Sequence, residues 1–309
     1  MSKASKKGKR TKHNIIPTGS LLFDVLNHIF LGIVALSCIL PLIHVLAISF
    51  SVSWAAQGGI VYFWPVGFNL ESYKFILKNG KFITALIVSL KRVTLGVAIN
   101  LFLIILTAYP LSKEEHDFKG RTLYAWFLFI TILFSGGLIP SYMNIRSLGL
   151  LDNILALILP GAVPVFSVVL LLNFFRQLPK GVEESAFVDG ASFWTTLWKI
   201  CVPMSLPSIA TIALFSAVAH WNSWFDGIIY MNRTDKYPLQ SYLQTIIMMA
   251  SSSNEFIRAT PEMAELLKKI NDSTLKAAQI FLGALPIILV YPFLQRFFMK
   301  GIVIGSIKG

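Results

Sequence analysis

The chain has 309 residues, 55% of them hydrophobic and only 14% charged, where a soluble domain carries about a quarter. Such a composition could not cover a water-facing surface with polar groups, so lipid is its natural solvent. The net charge of +12 does not point to nucleic acid, because six of the 27 Lys and Arg residues (Lys3, Lys6, Lys7, Lys9, Arg10, Lys12) crowd ahead of the first apolar run, the pattern of a cytoplasmic anchor.

That first run, residues 29–50, is longer than the roughly 7–15 residues of a signal-peptide core, so it is read as a retained spanning helix. A charge at the bilayer centre costs several kcal/mol, which makes charge-free windows the clearest marker of spans. Five more follow: between Arg92 and Lys113, Arg121 and Arg146, Asp152 and Arg176, Lys199 and Asp226, and Lys276 and Arg296. A seventh candidate, between Lys236 and Glu255, is diluted by Gln240, Ser241, Gln244 and Ser251–Ser253, and is read as a partly buried loop or an interfacial helix.

Six spans place both termini on one side. The segments there (1–20, 110–122, 176–206, 296–309) carry fifteen Lys and Arg residues against ten opposite, which favours cytoplasmic termini. Two sizeable loops then lie outside, 51–81 and 232–276, the second with a charged, helix-like stretch Pro261–Lys269. The expected organisation is an all-α polytopic protein. It comprises a basic tail (1–20), a six-helix transmembrane domain (21–300) holding a cytoplasmic loop (176–206) and an extracytoplasmic loop (232–276), and a cytoplasmic tail (301–309). Lys91 and Arg92, at the edge of the second span, read as snorkelling side chains in preference to contacts for a ligand.

Enzymatic chemistry has no foothold. The five histidines (His13, His28, His44, His116, His220) lack an H-E-x-x-H spacing, and no G-x-S-x-G occurs. Cys38 and Cys201 have no metal or redox spacing and read as buried apolar thiols, so no metal site is expected. No G-x-x-x-x-G-K-[ST] exists, hence no nucleotide site in this chain.

One cytoplasmic loop is more than a connector. It reads Glu183-Glu184-Ser185-Ala186-Phe187-Val188-Asp189-Gly190-Ala191-Ser192, then continues to Cys201-Val202-Pro203. The Asp-Gly pair marks a turn. Phe193, Leu197 and Cys201 recur at helical spacing. Ser192 suits an N-cap, and Pro203 a stop. Two short amphipathic helices hinged at Gly190 are expected, shaped to dock in a partner's groove.

Glu184-Ser185-Ala186-x-x-Asp189-Gly190-Ala191 followed by Ile200-x-x-Pro203 resembles the EAA loop of binding-protein-dependent ABC importer permeases, with Ser at its second position instead of Ala. The resemblance runs along nearly the whole chain. Ala108-Tyr109-Pro110-Leu111-Ser112 matches a family element. Phe134 to Pro140, Leu148 to Leu151, Trp221 to Phe225 and the ending Gly301 to Gly309 resemble the complex-oligosaccharide subgroup, in the position of the second maltose-type permease.

The resemblance implies the type I importer fold in a bacterial plasma membrane. It also implies a related partner permease, two cytoplasmic ATPase subunits that bind ATP and Mg, and an extracytoplasmic sugar-binding protein. It implies that Glu184, Ser185, Ala186, Asp189, Gly190, Ala191 and Pro203 couple ATPase closure to alternating access. This chain itself would hold no cofactor.

For Trp221, Asn222, Trp224 and Asp226 two readings stand, a sugar path and plain packing with an interfacial belt, the second the stronger. The segment Leu239–Lys276 matches the family loop that reaches into the binding protein, and the C-terminal tail one that touches the ATPase. Alternatives are the same architecture carrying a peptide, phosphate or polyamine, and a secondary transporter. The latter needs ionisable groups at mid-membrane depth, where only His44 and His220 come near, neither with a recognisable partner.

Overall fold

The computed structural model describes residues 18–78, 80–252 and 273–289. The basic tail up to residue 17, the Pro261–Lys269 stretch, most of the expected docking loop and the C-terminal tail lie outside the described residues. Those described contain helices and turns and no strand.

Helix α1 (Thr18–Ser49) carries no Lys, Arg, Asp or Glu after Asp24 and is exposed from Leu22 to Ile43. Among the described residues, its last turns pack on protein, where Ala47 joins Ala55 and Val61. An apolar helix with bare sides is stable in lipid because its backbone bonds are all internal. Cys38 sits on that bare surface, so the expectation of a buried thiol holds for Cys201 alone: Cys38 lies on a stretch of α1 that the described residues do not cover.

After α1 come the short helices α2 (Ser53–Gln57) and α3 (Glu71–Lys78). Then α4 (Lys81–Ser112) runs through the centre of the chain. Its buried positions 82, 85, 89, 92, 96, 100, 104, 108 and 111 recur every three or four residues, a stripe of helical period. Small residues there (Ala85, Ser89, Gly96, Ala108) let neighbouring backbones approach.

Three of the expected single spans are bent. Helices α5 (Arg121–Leu133) and α6 (Leu138–Ser147) meet at 115°, because Ser135-Gly136-Gly137 supports no helix and Gly137 takes φ +85°. Two 3₁₀ turns, Ile154–Leu157 and Leu159–Gly161, lead at 54° into α7 (Val165–Gln177). After α8 (Lys180–Val188), α9 (Phe193–Met204) and α10 (Leu206–Asn222) meet at 81°. Charge-free windows report apolar length but not backbone breaks, so each of these windows concealed a corner. By length and composition α1 and α4 are each sufficient to cross a bilayer.

Beyond α10 lie α11 (Phe225–Tyr230), α12 (Leu239–Ser252) and α13 (Ser273–Leu289). The seventh candidate is therefore a helix. Its Leu239, Tyr242 and Leu243 are buried with Ile76, Phe82, Trp221, Leu275 and Ala278 in one core cluster. A larger core joins Ile104, Ala108 and Tyr109 of α4 to Leu171 and Phe175 of α7, Leu197 and Cys201 of α9 and Ile212 of α10. Helix α4 thus bridges the two cores.

The snorkelling expectation for Arg92 fails. Helix α4 starts at Lys81, eleven residues before Arg92, about 16 Å at 1.5 Å per residue. Arg92 is only 2% exposed and faces protein.

A Cβ at Gly96 would collide with the His220 ring, which Asn100 Nδ2 also approaches at 3.3 Å. Gly96→Val should cost about 1–3 kcal/mol by overpacking. A thermal melt of the purified chain in detergent would show this as a lowered midpoint; an unchanged midpoint would mean the α4–α10 contact yields to an added side chain.

Candidate functional site: a two-helix knob and a polar cleft

The loop expected to dock folds as a two-helix knob. Helix α8 closes with Ala191 N–H donating to Ala186 O at 2.9 Å and Gly190 N–H to Phe187 O at 3.0 Å. This is the paired 6→1 and 5→2 pattern that needs a left-handed residue at its corner. Gly190 supplies it with φ +80°. Ser192 Oγ then accepts from Thr195 N–H at 3.3 Å and caps α9. The Phe187 and Phe193 rings meet edge-on at 5.0 Å across the corner.

The inner side of the knob buries Ala186, Thr196, Leu197 and Cys201. Its outer side exposes Glu184, Ser185, Asp189 and Gly190 beside Val188 (88% exposed), Phe193 and Trp194. Ala191 is half-buried. Apolar side chains presented this fully, among carboxylates, mark an interaction surface.

Pro203 is exposed and does not end the helix. A π-type turn over Leu197–Cys201 precedes it, Val202–Met204 stay helical, and the break falls at Ser205.

Sequence reasoning overlooked Glu183. Its carboxylate pairs with Lys113 at the end of α4 and accepts from Cys201 Sγ at 3.0 Å. Nearby, Lys180 and Glu114 pair at 2.5 Å, and the Lys180 ammonium holds the Glu114 carboxyl below its ordinary value. No sequence signal connects positions 113 and 183, seventy residues apart.

On the opposite part of α4 the expected path residues divide. Asn222 and Trp224 line a cleft of about 400 Å³ together with Gln240, Gln244 and Gln279. Gln279 is 1% exposed, and both polar atoms of its amide lack a partner among the described residues. Trp221 is buried, its Nε1–H donating to Gly283 O at 3.0 Å.

Asp226 pairs with Arg92. Arg92 Nη1 also donates to Ser223 O and Nη2 to Leu157 O, each at 3.2 Å. Asp226 Oδ1 accepts from Ser223 Oγ at 2.8 Å and from its neighbour Gly227 N–H at 2.9 Å. One guanidinium thus closes the break between α10 and α11 onto α4 and a 3₁₀ turn.

The two histidines without a recognisable partner in the sequence have one in the fold: His44 Nδ1 lies 2.8 Å from Tyr62 O, and His220 Nε2 3.3 Å from Asn100 Nδ2.

Among known proteins, this chain is 39% identical over 303 residues to Protein LplC of Bacillus subtilis, covering 97% of this chain and 98% of that protein. It is 39% identical over 290 residues to the polygalacturonan/rhamnogalacturonan transport system permease protein YtcP of the same organism, covering 93% and 99%. A solved chain from a bacterial ABC transporter involved in import of the acidic polysaccharide alginate superposes with a TM-score of 0.78 at 31% identity, covering 91% of this chain and 98% of that one. No protein-family model matches the chain. An all-helical chain with bilayer-length apolar helices, aligned nearly end to end with transport permeases, belongs to the carbohydrate branch of the ABC importer permeases.

Proposed function

We propose that this permease imports an oligosaccharide, drawing its energy from separate ATPase subunits that grip the α8–α9 knob. The single observation that supports the coupling reading most is the knob's outer face. Val188, Phe193 and Trp194 stand exposed beside Glu184 and Asp189, a surface that is costly in water and suited to a groove. Glu184 offers a carboxylate to an arginine on the partner. In this reading Ser185, Ala186 and Ala191 keep the corner slim, Gly190 bends it, and Pro203 lies where the second knob helix turns toward the membrane. ATP and Mg belong to the ATPase.

The complex then holds a related second permease, two ATPase subunits and an extracytoplasmic binding protein, and both termini of this chain are cytoplasmic. On the cargo side, amides bond hydroxyls and indole faces stack on sugar rings. Asn222, Trp224, Gln240, Gln244 and Gln279, whose amide has no partner among the described residues, suit that cargo, and the relative YtcP is named a polygalacturonan/rhamnogalacturonan transport permease. Trp221 and Asp226 then shape the path from behind.

Two measurements test the reading. A single cysteine at Ser192, in a chain carrying Cys38→Ser, should react with an impermeant maleimide in inside-out vesicles and cross-link to a co-purifying ATPase subunit. Reaction from the outside of intact cells would overturn the coupling. In proteoliposomes, ATP hydrolysis should rise with oligosaccharide-loaded binding protein, while stimulation by a peptide, phosphate or polyamine in its place would reassign the cargo.

A further inference from the structure

We propose that Glu183 is a positioning residue: its bond to Lys113 is the joint through which movement of the knob is passed to α4. The proposal rests on the reading of the knob as an ATPase-gripped handle.

Glu183 joins three elements at once, being part of α8 while holding Lys113 of the α4 end and Cys201 of α9. The pair is largely shielded, its side chains 13% and 21% exposed, so salt screens it less than a surface pair. The Lys113 ammonium also lies 4.2 Å from the Tyr109 ring centroid, in cation–π range. The neighbouring Lys180–Glu114 pair is 74% and 61% exposed, and such pairs contribute little.

Two further cations fix the receiving end. Arg121 Nη1 donates to Lys113 O at 3.2 Å and Arg176 Nη2 to Leu111 O at 3.4 Å, capping the carbonyls and the negative dipole end of α4. Helix α4 in turn carries Arg92, bonded across the α10–α11 break. A knob displaced by its partner therefore pulls first on the Lys113 side chain, and a single continuous helix leads from there to the cleft side of the molecule.

The test uses the assembled complex in proteoliposomes and needs no cargo. A single cysteine replaces Asn222 in the cleft, with Cys38→Ser and the buried Cys201 retained. Its reaction rate with an impermeant maleimide is measured with and without Mg-ATP and vanadate, which after one turnover leave Mg-ADP and vanadate trapped in the ATPase. In the otherwise unchanged protein, trapping should change the rate.

In Glu183→Lys and in Lys113→Glu that change should shrink about tenfold, the scale of a lost charge-assisted hydrogen bond, and in Glu183→Gln by less. The charge-swapped pair Lys113→Glu with Glu183→Lys should recover most of it, which a merely destabilised chain would not do. An undiminished response in assembled Glu183→Lys and Glu183→Gln complexes, or a swap no better than its single variants, overturns the joint.

Cross-linking from Ser192 separates the two levels of failure. If that cross-link to the ATPase persists while the response ignores Glu183, the joint alone is wrong. If the cross-link is absent in the parent complex, the handle reading falls and takes the joint with it.

Discussion

Gly190→Val is expected to cut transport by about tenfold or more while the chain still inserts and assembles. At φ +80° a β-branched residue is a genuine conformational outlier, and holding it there costs about 1–3 kcal/mol. Among the described residues no atom lies within 4 Å of a Cβ built at this position, so the penalty comes from the backbone and not from a collision. The corner is relieved by opening, which breaks the Ala191–Ala186 and Gly190–Phe187 bonds and separates the Phe187 and Phe193 rings. Val188 and Trp194 then no longer belong to one surface.

Uptake per ATP hydrolysed, in proteoliposomes supplied with the stimulating oligosaccharide, should fall by about tenfold or more on that strain. Gly190→Asn should be much milder, because asparagine tolerates the left-handed region. Equal uptake by the Val and Asn variants, with equal co-purification of the ATPase, would show that the corner does not need this conformation.

What was legible in the sequence follows from which forces are local. The corner at Gly190 and the cap at Ser192 are short-range hydrogen-bond patterns, so residue type alone indicates them. The apolar windows located α1 and α4, because lipid demands long uncharged runs. Backbone breaks were harder. Ser135-Gly136-Gly137 is a weak helix former, but residue type alone does not give the 115° angle between α5 and α6.

The partners of charged side chains were invisible. Arg92 meets Asp226 across 134 positions and Lys113 meets Glu183 across 70, and nothing in either neighbourhood names the other. Arg92 looked like a snorkelling residue because the preceding turns of α4, Lys81 to Lys91, contain lysines and a serine that blurred the helix start. Resemblance points to Glu184 in the loop expected to couple, whereas the carboxylate that bonds Lys113 and Cys201 is its neighbour, Glu183.

Asp226→Ala should destabilise the chain more than either Gly96→Val or Gly190→Val. It leaves the Arg92 guanidinium buried, 2% exposed, with its counter-charge gone and its Nε already without a partner among the described residues. Removing one member of a buried ion pair costs about 3–5 kcal/mol. Ser223 Oγ and Gly227 N–H lose their acceptor in the same step, at the point where the chain is broken between α10 and α11. For a chain of this size that energy corresponds to a drop of about 10 °C in the unfolding midpoint, read by thermal denaturation of the purified protein in detergent.

Asp226→Asn keeps acceptor and shape and should fall between the parent and the Ala variant. Arg92→Met combined with Asp226→Ala should recover part of the loss, since two apolar side chains leave no uncompensated charge. Recovery would identify the pair as a clamp on the broken helix. If the double variant is as unstable as Asp226→Ala, the hydrogen bonds to Ser223 and Gly227 carry the stability. If Asp226→Asn is fully stable yet loses oligosaccharide-stimulated ATP hydrolysis, Asp226 acts on the cargo path itself, and Arg92 serves to orient its carboxylate.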